Sequence, residues 1–436
     1  MKSTLEYQRG QVIILFVLAL VGLLAFAGLA VDGAMLYSDR RASQSAADSA
    51  ALAGAGAGGN TMQLREIYSK PDFNCNNLNY AGTKMNLVED DIIDAAISRA
   101  SVNGYIIDND ISDNMGVKVT CSDTNTDKYL DVEVRITAQI QSSFLHLVFN
   151  RPLMNTVTAI ARIRPIAPKG GGNGIIALNE TQCKQGGQYV GGIYLDGTTI
   201  EVVSDGGGMS SNTCIIRNGN SEIVVLNSDP PAYARTSSDW TNDGVFVDGN
   251  GDPLTMEQSS TYNLQVTIDP PKCTGLPINP AKIGGIYQPG IYTNGIKQDG
   301  TLAPGLYCVD QPSNGKLANL QGNGVTMYFR TGNVEWNGGF SHLTAPAEGS
   351  VAPAVPGLLF YFGDGGFTML GNATAELSGT IYAPYGTIDL GGAETTYTWE
   401  TVLIGNNVKI HGNPFVAVKV DYKKVLTDPS YLDLLK

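Results

Sequence analysis

The sequence predicts a mixed fold: a long apolar helix at the N-terminus, an α+β middle and an all-β C-terminal part made of stacked short strands. Three patterns carry this expectation. Residues 12–31 run without a charge, residues 61–164 pass from helical to alternating apolar spacing, and glycine-punctuated pieces recur about every 20 residues near the C-terminus.

Size and charge narrow the possibilities first. At 436 residues the chain is too long for one ordinary core and suggests two or three domains. Its net charge of −13 argues against a broad grip on nucleic-acid phosphates. With 43% apolar residues it can bury a sizeable core.

Twenty uncharged residues at ~1.5 Å each span the ~30 Å core of a bilayer, so 12–31 is a transmembrane candidate, with a cleaved signal as the competing reading. Lys2 and Arg9 outweigh Glu6, giving the first ten residues +1 and the remainder −14. The positive-inside rule then places 1–10 in the cytoplasm and the rest outside. The helix should continue through the alanine-rich stretch after Asp32, with Met35, Ala42, Ala46, Ala50 and Ala53 as its packing face, and end in the glycines at 54–59.

Six cysteines follow: Cys75, Cys121, Cys183, Cys214, Cys273 and Cys308. Their spacing fits no zinc motif, and an even number on the exported side points to three disulfides. Pairing in sequence order keeps each bridge within one segment, and it is one of fifteen connectivities.

The order of residues in this segment resembles a known family. Arg9-Gly10-Gln11, the apolar run, Val31-Asp32, Leu36-Tyr37 and Gln44-x-Ala46-Ala47-Asp48-x-Ala50-Ala51-Leu52-Ala53 are similar to the N-terminal segment of Flp (tight-adherence) pilus-assembly TadE/TadG-like proteins. A weaker similarity extends to about residue 165. The resemblance implies a membrane-anchored component with a pilin-like α+β middle, partnered by lipid and by other Flp/Tad pilus proteins, with Asp32, Tyr37, Gln44 and Asp48 as the family-motif positions. It also marks Gly10 and Gln11 as a prepilin-type processing site. The fifth residue of such a mature chain would be Leu15, where polymerising pilins carry Glu; TadG-like proteins do not depend on that Glu. The Asp-x-Ser-x-Ser run of the von Willebrand A domain that ends some TadG-like proteins is missing from this sequence.

The domain layout expected is therefore 1–10 cytoplasmic, 11–58 transmembrane and extended helix, 59–164 α+β, 165–174 a Pro- and Gly-rich linker, and 175–436 the β-repeat. Within the middle, 87–102 has helical spacing and 131–136 alternates cleanly as a strand. In the repeat, pieces starting at Met327, Phe360, Ile381 and Val402 align, with 345–356 as a loop inserted in the first turn. Units of strand, turn and strand cannot bury an apolar face alone, so stacking them as a parallel β-helix is expected, with a β-sandwich as the alternative. The strand over 415–422 should close the domain.

Candidate chemistry is sparse. His146 lies in an apolar stretch, and His411 is expected in the rung position held by Leu370 and Leu390; His342 completes the histidines. No Ser-His-Asp or Cys-His arrangement can be assembled, so a non-enzymatic protein without a cofactor is expected. The rival is a membrane-tethered carbohydrate-active β-helix enzyme. Asp248, Asn250 and Asp252 place oxygens at alternate positions as calcium loops do, but Pro253 follows, Ser259 stands where such a loop has Glu, and Asp-Gly and Asn-Gly are common turn pairs, so a plain turn is expected. Tyr361, Tyr382, Tyr385 and Tyr397 could pack internally or stack on sugars or a partner. The function expected is presentation of the outer domain for adhesion, to a surface polysaccharide or to a host or neighbouring surface.

Overall fold

A computed structural model describes residues 11–435 except 70–71, 79, 125–127, 145–151, 182, 186–187, 197–198, 204–206, 219–221, 227–231, 236–245, 249, 297–298, 311–315, 318, 338, 351 and 371–373. The chain forms two compact units, one of residues 1–166 with 429–436 and one of 167–428.

In the first unit, helix α1 (Gln11–Leu64) is 54 residues long, about 80 Å at ~1.5 Å per residue. It does not stop at the glycines over 54–59, because Gly54 and Gly58 pack against Ile92 of the next helix and Gly58 and Gly59 against Ile163, which outweighs their poor propensity. Its first part is bare: Leu15, Phe16 and Phe26 are 66%, 65% and 74% exposed. The helix is long and apolar enough to cross a membrane.

Helix α2 (Lys84–Val102) starts where the Thr83 hydroxyl accepts from the Asn86 amide and stops at Asn103, with Gly104 supplying the positive φ that follows. Its buried face is Met85, Val88, Ile92, Ala96 and Ala100, at the spacing read from the sequence. Strands β1 (Gly116–Asp123), β2 (Lys128–Ile140) and β3 (Leu153–Arg164) form an antiparallel sheet. Inward Leu130, Val132, Val134 and Ile136 alternate with half-buried Asp131, Glu133 and Arg135 on β2. The fourth strand is the C-terminal Tyr431–Leu434, antiparallel to β3. This corrects the expected layout, since the last residues belong to the first unit and not to the repeat.

The second unit is a 21-stranded sheet, among the described residues, in which every pairing except 246–247 with 253–254 is parallel. Its strands fall into three rows. One row runs Gly290–Tyr292, Gly305–Val309, Val325–Phe329, Leu358–Phe362 and 380–382; the other two advance in step with it. Met327, Phe360 and Ile381, the first residues of three of the aligned repeats, are register partners. Inside lie Trp336, Phe329, Phe360, Phe362 and Phe367, all essentially inaccessible to solvent.

The order of stacking departs from the order of the chain. Residues 403–405, 407–411 and 415–419 pair with 175–177, 192–196 and 199–203, which pair in turn with 209–211, 215–218 and 222–226. The strand over 415–419 therefore does not close the domain; the first strands of the unit lie on it. The stretch 165–174 is not a linker either. Ala167–Pro168 pairs with Thr427–Asp428, and Asn173–Ala177 is a fully buried strand. The chain thus enters and leaves the unit in the middle of its stack.

A strap over 259–289 joins the two ends. Asn212 holds both backbone groups of Leu264 through its side chain (2.7 and 3.0 Å). Farther along, the Tyr382 and Tyr361 hydroxyls donate to the carbonyls of Val266 and Ile268 (2.9 and 3.2 Å), and Cys273 is bridged to Cys308. These two tyrosines are packing residues; Tyr385 is 73% exposed, and the Tyr397 side chain lies outside the described residues. The other bridges are Cys75–Cys121 and Cys183–Cys214, completing the sequence-order pairing.

Candidate functional site at the docked face of the long helix

The face that α1 buries is a stripe of small residues: Ser43, Ala46, Ala47, Ala50, Ala51, Gly54, Ala55, Gly58 and Gly59. The spacing of three and four is helical, but the stripe is rotated from the expected one. Ala42 is exposed and its neighbour Ser43 is buried. Small side chains allow close backbone approach. A Cβ on Gly54 would stand 2.9 Å from the Ile92 carbonyl oxygen of α2, and one on Gly58 would stand 2.6 Å from an Ile92 side-chain carbon.

Polar groups fix the register of this face. Asp32, 1% exposed, sits at the end of the apolar run and accepts from the amides of Ser143 (2.7 Å) and Phe144 (3.1 Å) in the segment after β2. One turn earlier, Gly28 lets Phe144 lie against the helix, since a Cβ there would meet the ring's Cγ at 2.9 Å. Gln44 donates to the Asp48 carboxylate at 2.7 Å and to the Thr158 carbonyl of β3 at 3.2 Å. Asp48 thereby orients the amide that binds the sheet.

The structure thus brings Asp32, Gln44 and Asp48 into one docking face. Tyr37 stays outside it, 66% exposed. Gly10 lies outside the described residues, and Gln11 begins the helix.

Several docking residues were not legible in the sequence. Asn155 of β3 donates to buried Ser43 (3.1 Å), Asn103 donates to Ser49 (2.8 Å), and Thr61 donates to Asp91 (2.6 Å). Isolated polar residues within an alanine-rich helix are the signal that could have marked Ser43 and Thr61. Burial and the Asp39 carboxylate raise the Tyr105 phenol above its ordinary range, with a hydrogen bond to Ser43 acting the other way.

The remaining candidates resolve differently. Asp248 Oδ1 accepts from the amides of Asn250 (2.8 Å) and Asp252 (2.9 Å), so the triplet closes the turn between 246–247 and 253–254. Those bonds hold the Asp248 carboxyl below its usual range. No group of three metal-ligating side chains occurs among the described residues. His411 does not take the place of Leu390 in the core. Leu390 pairs with Met369 and is buried, whereas His411 is half-buried with Nε2 2.9 Å from the Asp389 carboxylate. His146 lies outside the described residues. His342 Nδ1 stands 2.9 Å from Glu376 on an outer face of the stack.

The helix is thus apolar and bare at one end, where it is long enough to cross a membrane, and docked through small residues at the other. Residues 10–57 match the model of the Tad family, described as Flp pilus-assembly TadE/G-like. The matched stretch ends within the small-residue stripe and contains Asp32, Gln44 and Asp48. No curated protein and no solved structure matches the chain.

Proposed function

We propose that the chain is a membrane-anchored, non-enzymatic component of Flp pilus assembly, with residues 1–10 on the cytoplasmic side and both folded units beyond the membrane. In this reading the first unit is a pilin-like module, and the parallel stack is a β-helix presented for contact with another surface. The observation that carries it is the coincidence of the family match over 10–57 with a helix exposed and apolar at one end and docked at the other. Partners are then lipid around 12–31 and other pilus-assembly proteins.

The test is protease treatment of spheroplasts from the native cell, with pilus counts in a strain lacking the chain. Expected are digestion of both units down to a short membrane-protected fragment, and loss of pili in the deletion strain. Recovery of the whole chain from the soluble fraction, or normal pili without it, would refute the proposal.

One observation favours the rival, a tethered carbohydrate-active enzyme. A cavity of about 700 Å³ on the second unit is lined by Glu376 and Glu400 together with His342, Lys419, Lys423 and Lys424. Glu376 is engaged by His342 and Glu400 by Lys424. Release of reducing sugar that disappears in both Glu376→Gln and Glu400→Gln would select that reading.

A further inference from the structure

We propose that a second groove on the strand stack, between residues 189–194 and 387–409, binds an uncharged oligosaccharide. The inference deepens the surface-contact part of the proposed function and rests on it for access to the ligand.

The groove holds about 340 Å³, within the range of small-ligand sites, and its lining includes Tyr189, Gly192, Tyr194, Thr387, Asn407 and Lys409. Tyr189 and Tyr194 meet with ring centroids 4.5 Å apart and planes inclined by 37°, and Tyr189 is 37% exposed. They give the groove one aromatic wall. The C–H faces of a pyranose are apolar and pack on aromatic rings, whereas its hydroxyl edges need polar partners in the plane of the sugar.

The lining supplies Thr387, Asn407 and Lys409 as such partners, and further polar groups stand behind the wall. Tyr194 donates to Asp196 at 3.2 Å, and Asn218 donates to Asp196 at 3.1 Å and reaches the Tyr194 hydroxyl at 3.4 Å. On the neighbouring strand Asp389 lies between His411 (2.9 Å) and Lys409 (3.7 Å). Lys409, the charged residue of the lining, is offset by the Asp389 carboxylate beside it, which suits a ligand without net charge better than a polyanion.

The wall is preorganised. Tyr189 closes a short hairpin with Lys184, and the Cys183–Cys214 bridge and the bond from the Val190 amide to the Cys183 carbonyl fix its base. Gly192, at φ 81°, presses so close to Cys214 that an added Cβ would lie 2.3 Å from its carbonyl oxygen. Its amide donates to the Asn407 side chain at 3.2 Å. A rigid aromatic platform loses little entropy on binding.

The groove exists only because residues 407–411 pair with 192–196, so its parts come from stretches of chain about 200 residues apart. The test is calorimetric titration of the full chain in detergent with maltohexaose, cellohexaose and chitohexaose. At least one should bind, and Tyr189→Ala should weaken it tenfold or more. Thr387→Val, which keeps the shape and removes a lining hydroxyl, should weaken it several-fold, and Tyr385→Ala should leave it unchanged. Binding of none of the three, or equal binding by the wild type and both groove variants, would overturn the inference. Normal pilus assembly by a Tyr189→Ala strain would leave the anchoring proposal intact while the sugar affinity is lost, so the two fail separately.

Discussion

The two units bury their cores by opposite means. In the first, the fully buried positions of α1 between Ser43 and Gly59 are only serine, alanine and glycine, and the helix reaches α2 and the sheet by backbone proximity. In the second, three rows of strands leave an interior that Trp336 and a group of phenylalanines must fill; the Trp336 and Phe360 rings stack with centroids 5.7 Å apart. The first core fails when volume is added and the second when volume is removed.

The largest effect should come from the second core. Trp336→Ala removes a fully buried ring whose indole N–H donates to Ser341 at 3.1 Å, and is expected to lose ~3–5 kcal/mol. A guanidinium titration followed by near-ultraviolet circular dichroism measures it. Reducing Cys273–Cys308, which closes a 35-residue separation and ties the strap to the stack, should lose ~2–4 kcal/mol. Limited proteolysis of a Cys273→Ala/Cys308→Ala pair should then cut first between 259 and 289.

The first core is probed by contrast. Gly54→Val pushes against the α2 backbone and should lose ~1–3 kcal/mol. Gly56→Ala, where an added Cβ meets nothing within 4 Å, should gain ~0.5–1 kcal/mol from helix propensity. Amide hydrogen exchange in α2 reads both, and equal signs would show that close approach is not what shapes this face.

The smallest effect concerns pH. Burial, with Tyr382 next, pushes the Tyr361 phenol up to about 12 from 10 in the unfolded chain. A raised acid favours the neutral folded form, so its contribution is intact below pH 10 and is lost between pH 10 and about 12. The second unit's melting temperature should therefore fall over that window, and less steeply in Tyr361→Phe.

The elements themselves were readable from local pattern. Helical spacing marked α2, strict alternation marked β2, and recurring glycines marked the repeat closely enough that Met327, Phe360 and Ile381 proved to be in register. Of the four positions that the family resemblance marked, Asp32, Gln44 and Asp48 bear on the docking face and Tyr37 does not. The glycines over 54–59 misled because propensity is a weak local term, outweighed here by packing against Ile92 and Ile163.

What the amino-acid order could not express was long-range pairing. Local periodicity sets which face of each element is apolar, and so the membrane candidate, the helices and the strands followed from it. It is silent on which strand lies on which. That 199–203 should rest on 415–419, that 429–436 should return to the first unit, and that Tyr189 and Asn407 should flank one groove depends on matching apolar faces distant in the chain. Only the folded chain, where burying those faces together outweighs the entropy of closing such long loops, decides it.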